Sequence, residues 1–149
     1  MANDTEITCE NLSRRDERAL VFHVLYAMES NEYDISFEDL LDTFRRGFAV
    51  EIPLDSDVAK ISRAVIEDRN ALDEVIKPYL SNWRFERISV STKLILRLAV
   101  WELQKGALAP TIVINEAIEL TKCFAESDAY RFVNGILDAM AKKNASTEA

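Results

Sequence analysis

Apolar residues recur at helical spacing along nearly the whole chain. Phe37, Leu40, Leu41, Phe44 and Phe48 form a stripe at intervals of three and four residues, with charged residues opposite. A later face, in residues 58–75, stops before the proline at position 78, where the backbone loses a hydrogen-bond donor. No segment alternates with period two for long enough to indicate a strand. The pattern therefore predicts an all-α protein.

Local signals place several helix ends. The segment SRRDERALVFHVLYAME opens with Ser13 as N-cap and has Asp16 three residues later, close to a capping box. TKLILRLAVWELQK, residues 92–105, is apolar almost all round, which is typical of a buried central helix. Two further helices follow Pro110 and a cap at Ser127. We predict a single-domain bundle of six or seven helices over residues 13–143, with disordered tails at 1–12 and 144–149.

Composition limits the class of protein. The chain has 149 residues, 48% of them hydrophobic and 30% charged, which fits one globular domain. The longest apolar run, residues 94–103, contains Arg97 and Glu102 and is too short to span a bilayer. No apolar stretch follows the polar N-terminus, so no signal peptide is visible. We therefore expect a cytoplasmic protein without a membrane partner.

Sites for chemistry are not indicated. Two cysteines without a CxxC spacing require neither a metal nor a disulfide. His23 is the only histidine, and no triad accompanies it. Glu116 and Glu119 are three residues apart, but no histidine follows either at the spacing of a di-metal bundle. Phosphate-binding glycine motifs are missing too. We expect no enzymatic activity, no cofactor and no small-molecule substrate.

The first helix contains one candidate binding surface. Arg14 and Arg18 are one turn apart with Arg15 beside them, and Phe22 and Tyr26 continue the row. Guanidinium groups pair with phosphates and aromatic rings stack on unpaired bases, so the row suits single-stranded RNA. Alternatively, the rings belong to the core and the arginines keep the helix end soluble. Because the net charge is −8, RNA binding would have to use such a local basic patch.

A glycine inside the last helix is a second candidate. Gly135 costs a helix about 1 kcal/mol relative to alanine. It falls outside the apolar face, on a strip of small residues edged by cations. The strip contains Arg131, Gly135, Ala139 and Lys142. The glycine is either merely tolerated, or it lets the backbone of another molecule approach closely.

Three segments together are similar to one protein family. INEAIELTKCFAESDAYRFVNGILDAM, residues 114–140, resembles the C-terminal signature of the NusB family of bacterial transcription antitermination factors. SRRDERALVFHVLYAME resembles that family's arginine-rich first helix, and IKPYLSNWRFERISVSTKLILRLAVWEL, residues 76–103, also fits. The similarity runs from about Ser13 to Lys143.

The resemblance implies an all-helical domain of two packed subdomains without catalytic activity. Members of the family bind the boxA element in the leader of ribosomal RNA transcripts. They do so jointly with a small ribosomal protein that doubles as the factor NusE, and the complex helps RNA polymerase read through terminators. A basic ribosomal partner would also suit the acidic balance of this chain.

The resemblance also assigns site residues. Arg14, Arg15 and Arg18 match the RNA-binding start of the first helix, and Phe124, Asp128 and Arg131 match a loop and helix start that shape the same RNA surface. Gly135 belongs to the FVNG block, and we expect RNA, or alternatively a closely neighbouring chain, to pass over the strip that it opens beside Arg131. Tyr26 and Tyr79 match aromatic positions that we assign to partner binding. The chain departs from the family pattern at Asp16, inside the arginine run, and at Ala125, where glycine is usual. These departures bear on RNA affinity and not on the fold.

Two other functions remain open at this point. The same fold serves as the RNA-binding domain of RNA cytosine methyltransferases, in which case 149 residues would be a fragment without the methyl-donor domain. The chain could also be a helical protein-interaction module with no RNA role. Replacing the three arginines of the first helix by alanine separates the RNA function from the last alternative.

Overall fold

The computed structural model describes residues 12–81 and 83–147, and within these ranges the chain forms seven α-helices and no strand. The helices are α1 (Arg14–Ser30), α2 (Phe37–Phe48), α3 (Asp57–Glu67), α4 (Arg69–Ile76), α5 (Val90–Lys105), α6 (Pro110–Phe124) and α7 (Ala129–Thr147). Two 3-10 turns, Lys77–Tyr79 and Phe85–Arg87, lie between α4 and α5. The predicted all-α class and helix number are confirmed.

Only part of each predicted tail lies within the residues that the structure describes. Residues 1–11 and 148–149, which hold most of the predicted N-terminal tail and the end of the C-terminal one, lie outside the described ranges. The last helix continues to Thr147, beyond residue 143 where we expected the folded domain to end. None of the helices described is long and apolar enough to cross a membrane.

The chain divides into two compact units between Ile66 and Glu67. In the first unit, the Ser13 side chain caps α1 by accepting a hydrogen bond from the Asp16 amide. The Ser36 side chain caps α2 in the same way, by accepting from the Asp39 amide. The apolar stripe of α2 predicted from the sequence is buried at four of its five positions and packs with α1. The fifth, Phe48, is exposed.

In the second unit α5 is the central helix. It contacts α4, α6 and α7, and seven consecutive residues, 94–100, are buried. Ser89 caps its first turn by accepting from the Thr92 amide, and Gly106 ends it in the left-handed conformation with φ 67°. The prediction of a buried central helix is confirmed.

One helix boundary differs from the prediction. The apolar face expected to run unbroken through residues 58–75 is interrupted at Asp68, whose ψ of 3° leaves the α-helical range, so Leu72 is buried but Val75 is exposed. In the first unit α2 ends at Phe48, and its C-cap residue Ala49 adopts a left-handed conformation with φ 54°.

Candidate nucleic-acid interface

The first turn of α1 presents two exposed guanidinium groups. Arg14 and Arg15 follow the Ser13 cap directly, and both are exposed. The partial positive charge of a helix N-terminus disfavours cations there, so the helix dipole does not favour arginine at these positions. The arginines add to that positive end a charge that suits an anionic ligand such as phosphate.

Arg18 differs from its neighbours because only 8% of it is exposed. Its Nη1 donates a long hydrogen bond, 3.5 Å, to the Arg14 carbonyl oxygen one turn earlier. Arg18 is thus largely covered by the fold, and Arg14 and Arg15 are the exposed members of the predicted group of three arginines.

The aromatic row that continues from Arg18 separates into core and surface. Phe22 is buried at 4% exposure, so the alternative that placed it in the core holds for this ring. Tyr26 is 44% exposed, and its ring centroid lies 6.0 Å from that of Phe22. Tyr26 also lines an apolar groove of about 720 Å³ with His23 and Phe48. Partial burial lowers the pKa of His23 from its ordinary value.

In the second unit the junction of α6 and α7 gathers cations around one ring. Phe124, the last residue of α6, is half-buried, and Asp128 and Arg131 are exposed. The Nε of Arg131 donates a hydrogen bond of 3.1 Å to the hydroxyl of Tyr130, and this bond raises the pKa of Arg131. The Nζ of Lys122 lies 5.3 Å from the centre of the Tyr130 ring.

Sequence reasoning missed this contribution of Lys122 and Tyr130. The two residues lie on different helices, and no spacing along the sequence indicates that a lysine near the end of one helix reaches a tyrosine near the start of the next. Their only signal in the sequence is that both flank the short connection between the two helical segments.

Gly135 lies on the exposed side of α7, as its position outside the apolar face predicted. A methyl group added at this residue would meet no atom within 4 Å. The buried face of the helix is formed by Val133, Ile136, Leu137 and Met140. Helix packing within the described residues therefore does not require a glycine here.

The two tyrosines assigned to partner binding lie in different units. Tyr26 belongs to α1 of the first unit. Tyr79 is half-buried in the 3-10 turn after α4 of the second, where the Nζ of Lys143 lies 5.9 Å from its ring centre. Residues 12–81 and 83–147 hold no cluster of three or more side chains suited to bind a metal ion.

Comparison with known proteins identifies the family. The sequence model of the NusB family matches residues 15–142. The chain belongs to the NusB family. The match spans every candidate residue except Arg14, which precedes it by one position.

Curated NusB proteins match most of the chain. The transcription antitermination protein NusB of Staphylococcus epidermidis is 35% identical over 127 residues, covering 85% of this chain and 96% of the relative. The protein of the same name from Desulfovibrio desulfuricans is 37% identical over 142 residues, covering 89% of this chain and 87% of the relative.

Solved NusB structures share the fold. NusB from T. maritima superposes with a TM-score of 0.75 at 32% identity, covering 88% of this chain and 92% of the other. A chain in a crystal structure of the antitermination factors NusB and NusE in complex with dsRNA gives a TM-score of 0.72 at 24% identity, with coverage of 87% and 96%. At that identity the second likeness shows the fold alone.

Proposed function

We propose that this NusB-family chain is a transcription antitermination factor. In this proposal it binds boxA RNA in ribosomal RNA leader transcripts, jointly with a small ribosomal protein acting as NusE. The resulting complex promotes read-through by RNA polymerase. Membership of the family and the name shared by its curated relatives support the role, and a structure of the same fold that contains NusE and RNA is consistent with it.

The observation that carries the RNA-binding part is the exposed pair Arg14 and Arg15 at the start of α1. Two guanidinium groups added to the positive end of a helix create a local anion-binding site on a chain whose net charge is −8. The cations at the α6–α7 junction, Lys122 and Arg131, form a second positive group. The acidic remainder of the surface limits affinity for RNA alone and favours a basic protein partner.

This role requires binding and no catalysis, and it would be carried out in the cytoplasm on nascent transcripts. It is preferred to that of a methyltransferase domain because the S. epidermidis relative, an antitermination protein by name, is matched over 96% of its own length. A protein-interaction module without RNA contact is the less favoured alternative, because the curated relatives are antitermination proteins by name.

The test is a gel-shift of boxA RNA with the chain alone and with the ribosomal partner added. We expect weak binding alone and much tighter binding with the partner. If the basic residues neutralise three to four phosphates, the logarithm of the binding constant should fall against the logarithm of salt concentration with a slope of about −2 to −3. The double variant Arg14→Ala/Arg15→Ala should flatten this slope and lose the complex.

The matched control is Arg45→Ala/Arg46→Ala, which removes two exposed arginines from the end of α2 instead. It should bind RNA as the parent does. Unchanged RNA binding by the α1 double variant, together with a slope near zero for the parent chain, would refute the RNA-binding role.

A further inference from the structure

Trp83 is the most unusual exposed side chain of the second unit. It follows the first 3-10 turn and is 63% exposed, although tryptophan is a large apolar residue that proteins mostly bury. Its ring makes an edge-to-face type contact with that of Phe132 of α7, with ring centroids 5.6 Å apart and planes inclined at 61°. This aromatic contact helps to hold Trp83 in place while much of its surface faces solvent.

The ring stands at the edge of the open strip on α7. Phe132, Gly135 and Ala139 are spaced at three and four residues and therefore follow one side of the helix. Gly135 and Ala139 are both exposed, and no atom lies within 4 Å of the space a methyl group would take at Gly135. A strip of α7 with only small side chains, which leaves the helix backbone accessible, thus lies beside an exposed aromatic ring.

Cationic side chains border this strip of α7. Arg131 and Lys142 are exposed on the edge opposite Phe132, and Lys142 forms a solvent-exposed pair with Asp138 at 3.0 Å, the kind of pair that contributes little. On the Phe132 side Lys143 lies against Tyr79. On a chain with net charge −8 this concentration of positive charge is local, and it is complementary to a polyanion.

We propose that Trp83 is a stacking platform for an unpaired base of bound RNA, with the adjoining phosphates lying over Gly135 toward Arg131 and Lys142. This inference rests on the proposed function and adds a base-contacting residue to it. Proteins that bind single-stranded nucleic acids combine aromatic rings, on which bases stack, with positive charge along the path of the phosphates. The accessible ring, the strip of small residues and the flanking cations form such an arrangement. An apolar protein partner would instead favour apolar neighbours around the ring.

The test uses boxA RNA and the full chain at low salt. Trp83→Ala should weaken RNA binding by about 5- to 150-fold, the range expected for loss of one stacked base, whereas Trp83→Phe should retain most of the affinity. The matched control is Ile112→Ala, which truncates another exposed apolar residue in the same unit and should bind as the parent does. All three variants should melt cooperatively near the parent temperature.

Fluorescence gives a direct readout. The chain has two tryptophans, so Trp101→Phe leaves Trp83 as the only indole, and stacking of a base should quench its emission as boxA RNA is added. RNA binding without quenching, or equal affinity of Trp83→Ala and the parent, would overturn the inference.

Failure of this inference can be told apart from failure of the proposed function. If Arg14→Ala/Arg15→Ala loses RNA and Trp83→Ala does not, the chain binds RNA elsewhere than at Trp83. If neither variant changes RNA binding and the salt slope of the parent chain is near zero, the proposed RNA-binding function itself fails. If Trp83→Ala weakens binding of the ribosomal partner in the absence of RNA and leaves RNA affinity unchanged, the ring contacts protein and the inference is wrong.

Discussion

Arg97 of α5 and Asp73 of α4 are joined by two parallel hydrogen bonds, from Nε to Oδ1 at 2.7 Å and from Nη2 to Oδ2 at 2.8 Å. About a tenth of each side chain is exposed. A planar guanidinium paired to both oxygens of a carboxylate is the geometry in which a buried charge is best satisfied. This pair accounts for the single charged residue in the buried run of α5.

Removing one partner of that pair should destabilise the protein strongly. Asp73→Leu leaves the Arg97 guanidinium buried opposite an apolar side chain and should lower the free energy of unfolding by about 3–5 kcal/mol. Urea denaturation measures the change. The control is Glu74→Ala, which breaks an exposed pair between Glu74 of α4 and Lys77 of the following 3-10 turn and should leave stability nearly unchanged.

A double variant sharpens this test. Asp73→Leu/Arg97→Met replaces both charges by apolar groups and should recover much of the stability lost in the single variant, since no unpaired charge remains. If the double variant is no more stable than Asp73→Leu, removal of the unpaired charge recovers nothing and our expectation is wrong.

Truncation of a buried side chain in the central helix α5 should lower the free energy of unfolding strongly. Leu96 is 0% exposed, so Leu96→Ala should cost about 2–5 kcal/mol through lost contacts and the cavity left behind. Glu38, on the exposed side of α2, should tolerate alanine within about 0.5 kcal/mol. Calorimetry that ranked the two in the opposite order would contradict the assignment of α5 as the core helix of its unit.

Replacement of Gly135 by alanine should leave the fold stable, whereas a larger side chain at this position should weaken RNA binding. Gly135→Ala should leave stability unchanged or raise it by up to about 1 kcal/mol, because alanine favours the helix and its methyl group meets open space. Gly135→Leu should fold but weaken RNA binding, measured by gel-shift. Asn134→Leu places the same side chain on another exposed side of the helix and should bind RNA as the parent does. Loss of several kcal/mol in Gly135→Ala would instead indicate a tight packing contact.

The single histidine should give stability a small dependence on pH. Burial lowers the pKa of His23 in the folded protein from 6.5, so the unfolded chain binds the proton more readily. The contribution of neutral His23 to the free energy of unfolding should therefore be fully present above pH 6.5 and be lost as the pH falls through the pKa of the folded state. His23→Gln should show a flatter profile between pH 7 and 5.5 in thermal melts. Identical slopes for the two proteins would show that carboxylates alone govern this range.

The sequence was sufficient where structure depends on neighbours along the chain. Ser13 and Ser89 act as caps, and the segment around Leu96 is buried, because capping and periodicity are local properties. The break at Asp68 could not be foreseen, since one backbone angle separates two helices whose apolar faces read as continuous. The partner of Arg97 lies 24 residues away, beyond any periodic pattern.

Site residues were harder to predict for a related reason. Spacing shows that Arg14 and Arg18 share a side of α1, but the exposure of each depends on how far the rest of the fold covers that side. Arg18 and Phe22 therefore proved buried where a surface row was considered. Trp83 lies in a segment without periodicity, so its exposure and its contact with Phe132 are set by tertiary structure alone.

The burial of α5 on nearly all sides also has a consequence for synthesis on the ribosome. Its upstream neighbour α4 is made first, but α6 and α7, which cover the rest, end at Phe124 and Thr147. At about 5–20 residues per second, roughly 2–8 s pass between completion of α5 and completion of α7. During that interval α5, which the finished fold buries over seven consecutive residues, lacks the cover that α6 and α7 provide. Nascent chains stalled between α5 and α7 should therefore be the ones that most need chaperone protection.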